Sequence, residues 1–531
     1  MIRKSALLVS TGLIAITTPA FAQTATSTTD TDKQTAQPTP GATEGAATQD
    51  QSTEAQPIDT GNIVITATRR NQALSDVPMA VSAVTAENLR NTGATDIRAL
   101  NQVAPSLNVF STSSEGGAAR ANIRGIGTVG DNPGLEASVG VFVDGVYRSR
   151  SGVALTELGP LDRIEVLRGP QGTLFGRNTS AGLISIITAK PRFTPEIEGE
   201  VTIGNYNLRR FQAGVTGPLS DTIAARLDGV WMKRDGFLKD VVSGRRINDR
   251  DRWLLRGQVL FQPSDALSVR IIGDYSKRDE ECCGATYVNP VQDITAAGPQ
   301  PSSIAAIERG LGGIINDDTF SRRIAITPGR DYASHVRDYG LSGEVTYDFG
   351  AAELTSITAY RYNKYTRGTD ADYNNLDILY RADNGGSFNR FKTFSEELRL
   401  QGNAWNNRID WLIGGYYANE KLQVDDNLAY GNDYARYGNC LVAANFAGSA
   451  PTILAPGASP TCFNTPVATA VRTSLVGSYN SLLAGVAAAQ AAGNAALASQ
   501  LATQAAALGS NITALGAFAG LNNTALAPGL P

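Results

Sequence analysis

From Glu196 onward the chain alternates. In Trp253, Leu255, Gly257, Val259 and Phe261 the odd positions are mostly large and apolar, while Arg256 and Gln258 sit between them. Leu267, Val269, Ile271 and Tyr275 alternate in the same way with Ser268, Arg270 and Asp274, and Ile223, Ala225, Leu227 and Trp231 alternate with Arg226 and Asp228. Period-2 segments of about ten residues give each strand one apolar and one polar face, which suits a sheet standing between hydrocarbon and a wet lumen. A soluble sandwich would alternate too, so the connections decide. Short ones fall at 217–221, 262–265, 350–352 and 402–407, and long ones between them at 235–249, 277–335 and 364–389. A transmembrane barrel sorts its loops in this way, with brief turns at one rim and extended loops at the other, and a sandwich has no reason to.

The rest of the composition fits. Among 531 residues, 42% are hydrophobic, and no run of about 18 apolar residues follows the N-terminus, which argues against helical membrane spanning. The formal net charge of -4 gives no hint of a nucleic-acid partner. Residues 1–22 read as a signal peptide: Arg3 and Lys4 open it, an apolar core follows, and Ala20-Phe21-Ala22 is an A-x-A cleavage site, so the mature chain is expected to start at Gln23. Residues 23–60, rich in Thr, Gln, Ala, Ser and Pro, lack the apolar surface to offset ordering entropy and read as a flexible periplasmic linker. The four cysteines read as loop staples in an exported chain: Cys440 and Cys462 could pair, whereas a bridge between the neighbours Cys282 and Cys283 would be strained.

The segment ahead of the alternating strands is a different kind of domain. Residues 71–192 read as a compact α+β unit with a strand at Val81-Ser82-Ala83-Val84, a helix capped by Thr85, and a second helix from Asp96 to Val103. Further strands are expected at Asn122-Ile123-Arg124-Gly125, from Val139 to Tyr147, and from Ile164 to Leu167. It closes on Arg163-Ile164-Glu165-Val166-Leu167-Arg168-Gly169-Pro170-Gln171-Gly172-Thr173-Leu174-Phe175-Gly176, running on through Asn178-Thr179-Ser180-Ala181-Gly182 to Lys190. This stretch closely resembles the end of the plug domain of TonB-dependent outer-membrane receptors. Ahead of the unit, residues 61–70 hold Ile63-Val64-Ile65-Thr66-Ala67, which resembles the TonB box; an exposed extended strand there could pair its backbone edge with a partner's strand.

The resemblance implies a mainly β fold: an α+β plug followed by the first part, about nine strands, of an antiparallel transmembrane β-barrel at 193–419. The last strand, near Ile409 to Asn419, runs outward, which puts 420–531 outside the cell as an Ala-rich extracellular loop region with helical character from Thr469 to Leu526. An open sheet edge in lipid is costly and the family uses about twenty-two strands, so the chain reads as an N-terminal fragment cut within a loop.

Gating requires a plug that is held in the lumen yet movable. Arg124 in Ile-Arg-Gly and Arg168 in Leu-Arg-Gly are the candidate latch cations on the plug. On the wall, Phe394-Ser395-Glu396-Glu397-Leu398-Arg399-Leu400 resembles a strand of these receptors, and parity turns Glu397 into the lumen. Tyr147, Arg148 and Arg150 end a plug strand and are candidate ligand contacts for an anionic chelate. Gly125-x-Gly127 lacks the context of a nucleotide fingerprint, His335 is the only histidine, and neither a catalytic nor a metal constellation is evident. Accordingly no catalytic residue, no metal ligand and no cofactor is assigned.

What the resemblance implies is TonB-dependent active import of a scarce ligand, a ferric siderophore first, across the bacterial outer membrane. The protein would not be an enzyme, and its partners would be TonB with its inner-membrane energising complex, the small-molecule ligand and outer-membrane lipid. A carbohydrate or other organic compound is the alternative cargo, and a passive channel or adhesin the alternative role.

Overall fold

The computed structural model describes residues 63–93, 100–101, 104–111, 119–128, 132–150, 157, 159–288, 292–295, 298–301, 303–406, 408–447 and 465–519. The expected signal peptide and linker, Cys462 and most of the helix expected over 96–103 lie outside the described residues.

The first domain is built around one five-stranded sheet. Val64–Ile65 (β1) pairs with Gln72–Ala73 (β2) beside it. Val81–Thr85 (β3) leads into helix Ala86–Thr92 (α1), where the Thr85 side chain accepts a hydrogen bond from the Asn88 amide and Gly93 ends the helix in the left-handed region. Leu107–Ser111 (β4) and Ala119–Ile123 (β5) form a separate pair. Val139–Val143 (β6) and Val146–Arg148 (β7) make a hairpin, then come Leu161–Arg168 (β8), a short helix Gly172–Phe175 (α2) and Gly182–Thr188 (β9). The sheet order is β3-β8-β9-β6-β7, with β6 and β9 parallel. Every residue of β9 is buried, because the sheet is covered on both faces. Ile164, Val166, Ile184 and Ile186 pack with Leu100, Leu107 and Ile123 on one side. Leu167, Leu183 and Phe142 pack with Ile65, Ala67 and Val77 on the other.

The wall follows as a nine-stranded antiparallel meander. Glu196–Gly204 (β10), Leu208–Ser220 (β11) and Ile223–Arg234 (β12) come first. A long loop holding Leu238–Asp240 (β13) and Arg246–Ile247 (β14) returns into Arg250–Ser264 (β15) and Leu267–Glu281 (β16). A second long loop carries Gln292–Thr295 (β17), Gly298–Pro301 (β18), helix Ser303–Gly310 (α3) and Arg323–Ile324 (β19) before Ala333–Asp348 (β20) and Ala352–Arg367 (β21). A third, with Thr369–Asp370 (β22) and Leu379–Arg381 (β23), precedes Phe388–Ala404 (β24) and Ile409–Asp425 (β25). Beyond these lie Ala429–Tyr430 (β26) and helices Tyr434–Ala447 (α4), Thr465–Ala491 (α5) and Ala495–Ala519 (α6). The wall order is β10-β11-β12-β15-β16-β20-β21-β24-β25, nine strands as expected. Among the described residues no helix is long and apolar enough to cross a membrane.

This sheet is apolar outside and charged inside. In β12 the buried positions are Ala224, Arg226, Asp228, Val230 and Met232, while Leu227 and Trp231 are exposed. In β15 Arg252, Leu254, Arg256 and Gln258 are buried, and Trp253, Leu255, Val259 and Phe261 are exposed. A continuous apolar outer face of this extent needs a hydrocarbon neighbour. Eight of the nine wall strands run longer than the expected ten residues, β10 having 9 and β24 and β25 17 each. At about 3.3 Å per residue they overreach the roughly 25 Å apolar band and carry the sheet past it toward the long loops.

The loop sorting has one exception. The connection from β10 to β11, at the long-loop rim, is only the three-residue turn 205–207, with Tyr206 and Asn207 both at positive φ. The opposite rim is short throughout; between β20 and β21, Gly350 turns at φ 86° while Asp348 accepts its amide at 2.7 Å. The long loops fold rather than trail. Leu238, Ile247, Ile324, Ile326 and Tyr332 bury one another as a small separate core, and β22-β23-β26 form a three-stranded sheet above the wall.

Candidate functional site at the plug and wall interface

The hairpin β6–β7 turns on Asp144-Gly145, with φ of 48° and 78°, the two left-handed residues that a tight two-residue hairpin requires. Gly145 presses on the wall so closely that a Cβ there would stand 2.7 Å from Ile357 Cδ1. The turn drives the Asp144 carboxylate against the inward face of β16. Its Oδ1 accepts from the Thr188 amide at 3.0 Å and from Arg270 Nη2 at 3.2 Å, and its Oδ2 accepts from Thr188 Oγ1 at 2.8 Å. Arg270 also donates to Gln258 Oε1, and Gln258 Nε2 donates to the Ala189 carbonyl at 2.9 Å, so neighbouring wall strands grip the end of β9.

Further ion pairs ring the domain. Arg148 lies 3.5 Å from Asp338, which Arg361 shares with Asp274. Arg150 reaches Glu420 at 3.3 Å. Glu157 faces Arg252 at 3.3 Å and Arg210 at 3.6 Å. Arg69 meets Glu397 at 3.4 Å, and Arg70 meets Asp410 at 3.1 Å while donating to the carbonyls of Gly402 and Trp411. These pairs reach strands from β11 to β25. Glu157, Arg210, Arg252, Asp338 and Arg361 are buried, so removing a partner of one of these strands a buried charge at about 3 to 5 kcal/mol.

Of the three residues expected to latch plug to wall, the structure brings Glu397 to the plug but neither Arg124 nor Arg168 to Glu397. Glu397 does face the lumen and does bind the plug, but through Arg69, with Arg399 at 2.6 Å as its other partner. Arg124 is exposed at positive φ, and its amide donates to the Ser106 carbonyl. Arg168 stays within the plug, donating to Ala80 O at 3.3 Å and Ser82 Oγ at 3.1 Å. Neither meets Glu397, because both stand on the plug's own strands and turns away from the β24 contact. The three candidate ligand contacts are likewise engaged: Tyr147 is buried and accepts from Asn178 at 2.9 Å, and Arg148 and Arg150 are spent on wall acids. Asp144, Glu157, Arg69 and Arg70 went unread as plug partners. The Asp-Gly dipeptide was the available signal for a hairpin, and the continuous β pattern around it hid the turn.

The segment that resembles the TonB box is folded, not free. Val64 is 49% exposed, but Ile65 and Ala67 are completely buried in the plug core, and β1 already has β2 as its edge partner. Thr66 donates to the buried Glu165 carboxylate from its amide at 2.8 Å and its hydroxyl at 3.1 Å, and Arg163 braces the same oxygen at 2.8 Å. Ile63 packs beside this cluster.

Above the wall the long loops make an acid-rich cap. Asp370 accepts from the Thr327 amide at 2.8 Å, and burial together with its neighbour Asp372 pushes its carboxyl up to about 8. Burial also pushes Glu308, bonded to the Tyr287 hydroxyl at 3.1 Å, up to about 7. Asp377 takes both arms of Arg330 at 2.9 Å, with the guanidinium stacked 3.3 Å from the Tyr380 ring. Cys282 and Cys283 are joined to each other and Cys440 is disulfide-bonded. Among the described residues no group of three or more His, Cys, Asp or Glu is placed to hold a metal ion.

A globule bridged by charge pairs to the inward face of a lipid-facing sheet defines a plugged outer-membrane barrel wall. Residues 73–183 match the TonB-dependent Receptor Plug Domain, so that region is a plug of this family, and part of a barrel wall follows it; the place of such a wall is the outer membrane. It is 30% identical over 173 residues to the pesticin receptor of Yersinia pestis, a match covering 31% of this chain and 24% of that protein. It is 30% identical over 190 residues to the ferrioxamine B receptor of Salmonella typhimurium, covering 33% and 26%. The ferric yersiniabactin uptake receptor of Yersinia pestis shares its fold with a TM-score of 0.53 at 18% identity, over 64% of this chain and 48% of that one. The chain thus spans less than two thirds of the length of each.

Proposed function

We propose that this chain serves TonB-dependent active import of a ferric siderophore across the outer membrane. The observation behind the reading is the seating of the plug: its box, its hairpin tip and its arginines are each held by the polar face of the wall or by a buried plug carboxylate, an arrangement that closes a lumen and yet can be released by pulling one end of the chain. The names of its relatives supply the cargo class, since one is a receptor for ferrioxamine B and another takes up ferric yersiniabactin. The work comes from TonB, and the chain itself performs no catalytic step.

In this reading residues 1–22 are the signal peptide, 23–60 the linker, 61–70 the TonB box, 71–192 the plug, 193–419 barrel strands with extracellular loops, and 420–531 an extracellular region. TonB takes Ile63 to Ala67 as an added strand once the Thr66 to Glu165 hold has opened. Deleting Ile63 to Ala67 should abolish energy-dependent accumulation of labelled ferric siderophore in intact cells while leaving surface binding in place. Accumulation that persists without the box and without the proton gradient would make the protein a passive channel.

A further inference from the structure

The outer face of the wall holds a carboxylate where hydrocarbon should be. On β24 the outward positions include Phe394, Glu396 and Leu398, the first and last 41% and 50% exposed, so Glu396 shares the lipid face with them while Glu397 turns inward. Lys392 lies opposite Tyr362, and Gly402 lies opposite Trp411. Between those two levels the strand climbs about 33 Å, or about 25 Å once tilted by about 40°, which is the height of an apolar band. Glu396 stands about 13 Å along the strand from Lys392 and is therefore inside that band.

An ionisable side chain at that depth calls for partners. Glu396 finds two within its own wall: Ser356 Oγ donates to its Oε1 at 2.8 Å, and Thr358 Oγ1 donates to its Oε2. A carboxylate has about four acceptor positions, so about two are left over. Its cross-strand neighbour on β25 is Tyr417, 58% exposed, whose ring centroid lies 6.4 Å from that of Phe394 and whose hydroxyl has no hydrogen-bond partner among the described residues. An outward acceptor with capacity to spare thus stands beside an outward donor with nothing to bond, about 5 Å apart at Cβ. The surface around them is low. Gly343 lies opposite Thr358 and Gly415 opposite Leu398, and a Cβ on either glycine would meet nothing within 4 Å.

Such a patch complements itself. A two-fold axis along the membrane normal keeps every group at its own depth and sets the donor of one copy against the acceptor of the other, twice. Glycines and small hydroxyl residues let two membrane-embedded surfaces approach closely, and hydrogen bonds between those surfaces hold where water is absent. Lipid tails offer no donor at this level. We infer that the outer face of β21, β24 and β25 is the contact between two copies of this chain in the bilayer, with the Tyr417 hydroxyl of each copy donating to the Glu396 carboxyl of the other. This rests on the wall standing in the outer membrane and is independent of what is imported.

The test uses the full chain in outer-membrane fragments and a short thiol-reactive cross-linker. Leu398→Cys puts a thiol at the centre of the patch, and Leu227→Cys puts one on the equally exposed outer face of β12. Leu398→Cys should give cross-linked dimer in clear excess over Leu227→Cys. Adding Tyr417→Phe or Glu396→Leu to Leu398→Cys should each cut that yield about tenfold, as loss of hydrogen bonds inside a membrane implies. Adding both should cut it little further, since they remove the same bond. Equal yields from Leu398→Cys and Leu227→Cys overturn the proposal and leave a carboxylate served by Ser356 and Thr358 alone. Undiminished dimer with Tyr417→Phe also overturns it, and that variant decides by itself should Glu396→Leu not assemble. A cross-linked species whose mass is not twice that of the chain points to a different partner and overturns it as well.

Discussion

Replacing Asp144 with Asn leaves the hairpin shape intact and removes one charge from the deepest plug and wall contact. The carboxylate accepts three hydrogen bonds, two from Thr188 and one from Arg270. After the change Arg270 keeps Gln258 Oε1 at 2.8 Å and Thr188 Oγ1 at 2.8 Å, so it is not left bare. The cost should therefore fall at the low end of the range for a broken buried pair, about 3 kcal/mol. That is roughly a hundredfold in the equilibrium for opening the plug. Hydrogen exchange of the β9 amides from Leu183 to Ile186, read by mass spectrometry on the micelle-embedded chain, reports that opening. Asp144→Asn and Arg270→Gln should each speed exchange by about two orders of magnitude, and the double variant should exceed neither by much, since both remove the same contact. Single variants within threefold of the wild type, or effects that simply multiply, would refute the assignment of Asp144 and Arg270 as a latch.

Arg69→Ala should leave the plug folded but loosen the preceding segment from Ile63 to Ala67; a spin label at Val64 should gain mobility, and Glu397→Gln should reproduce the gain. Glu165→Ala removes a charged acceptor worth about 1.5 to 3 kcal/mol to Thr66, so a purified periplasmic TonB domain should bind the ligand-free chain roughly tenfold or more tightly, measured by fluorescence anisotropy. In the loop cap, Asp370 holds its proton up to about 8, whereas an unfolded aspartate loses it near 3.9. The folded state thus binds more protons across that window, and cap stability should fall as pH rises from about 4 to 8 and then level off. Asp370→Asn keeps an acceptor for the Thr327 amide and should flatten the profile, as read by limited proteolysis of the loops at pH 5, 7 and 9.

Strand parity in the wall was legible residue by residue, because a sheet between lipid and a lumen writes its two faces into odd and even positions. Leu227 and Trp231 fall outside and Arg226 and Asp228 inside, as the alternation implies. Partner choice was not legible. Parity says that Glu397 points inward, but whether Arg69, Arg124 or Arg168 meets it depends on how the plug is rotated in the lumen, a long-range property that local pattern does not record. The segment that resembles the TonB box shows the same limit: Ile63 to Ala67 is β-branched enough to be an exposed strand for a partner, and equally apolar enough to be drawn into the plug core, as Ile65 and Ala67 are. The motif from Arg163 to Gly176 was recognisable as a unit, while the role of Glu165 within it depends on a residue 99 positions earlier.

The hairpin of β1 and β2 opens toward Ile63, whose carbonyl accepts the Leu74 amide at 2.8 Å. A tug from the N-terminal side therefore reaches the mouth of the hairpin first and undoes it like a zip, one backbone bond at a time, before it reaches Thr66 and then the two arginines. In such a sequence the force required is set by the hardest single step, not by the total of all of them. Long-range mechanical work on this molecule can begin gently and must release the Thr66 hold on buried Glu165 before it reaches the wall anchors at Arg69 and Arg70.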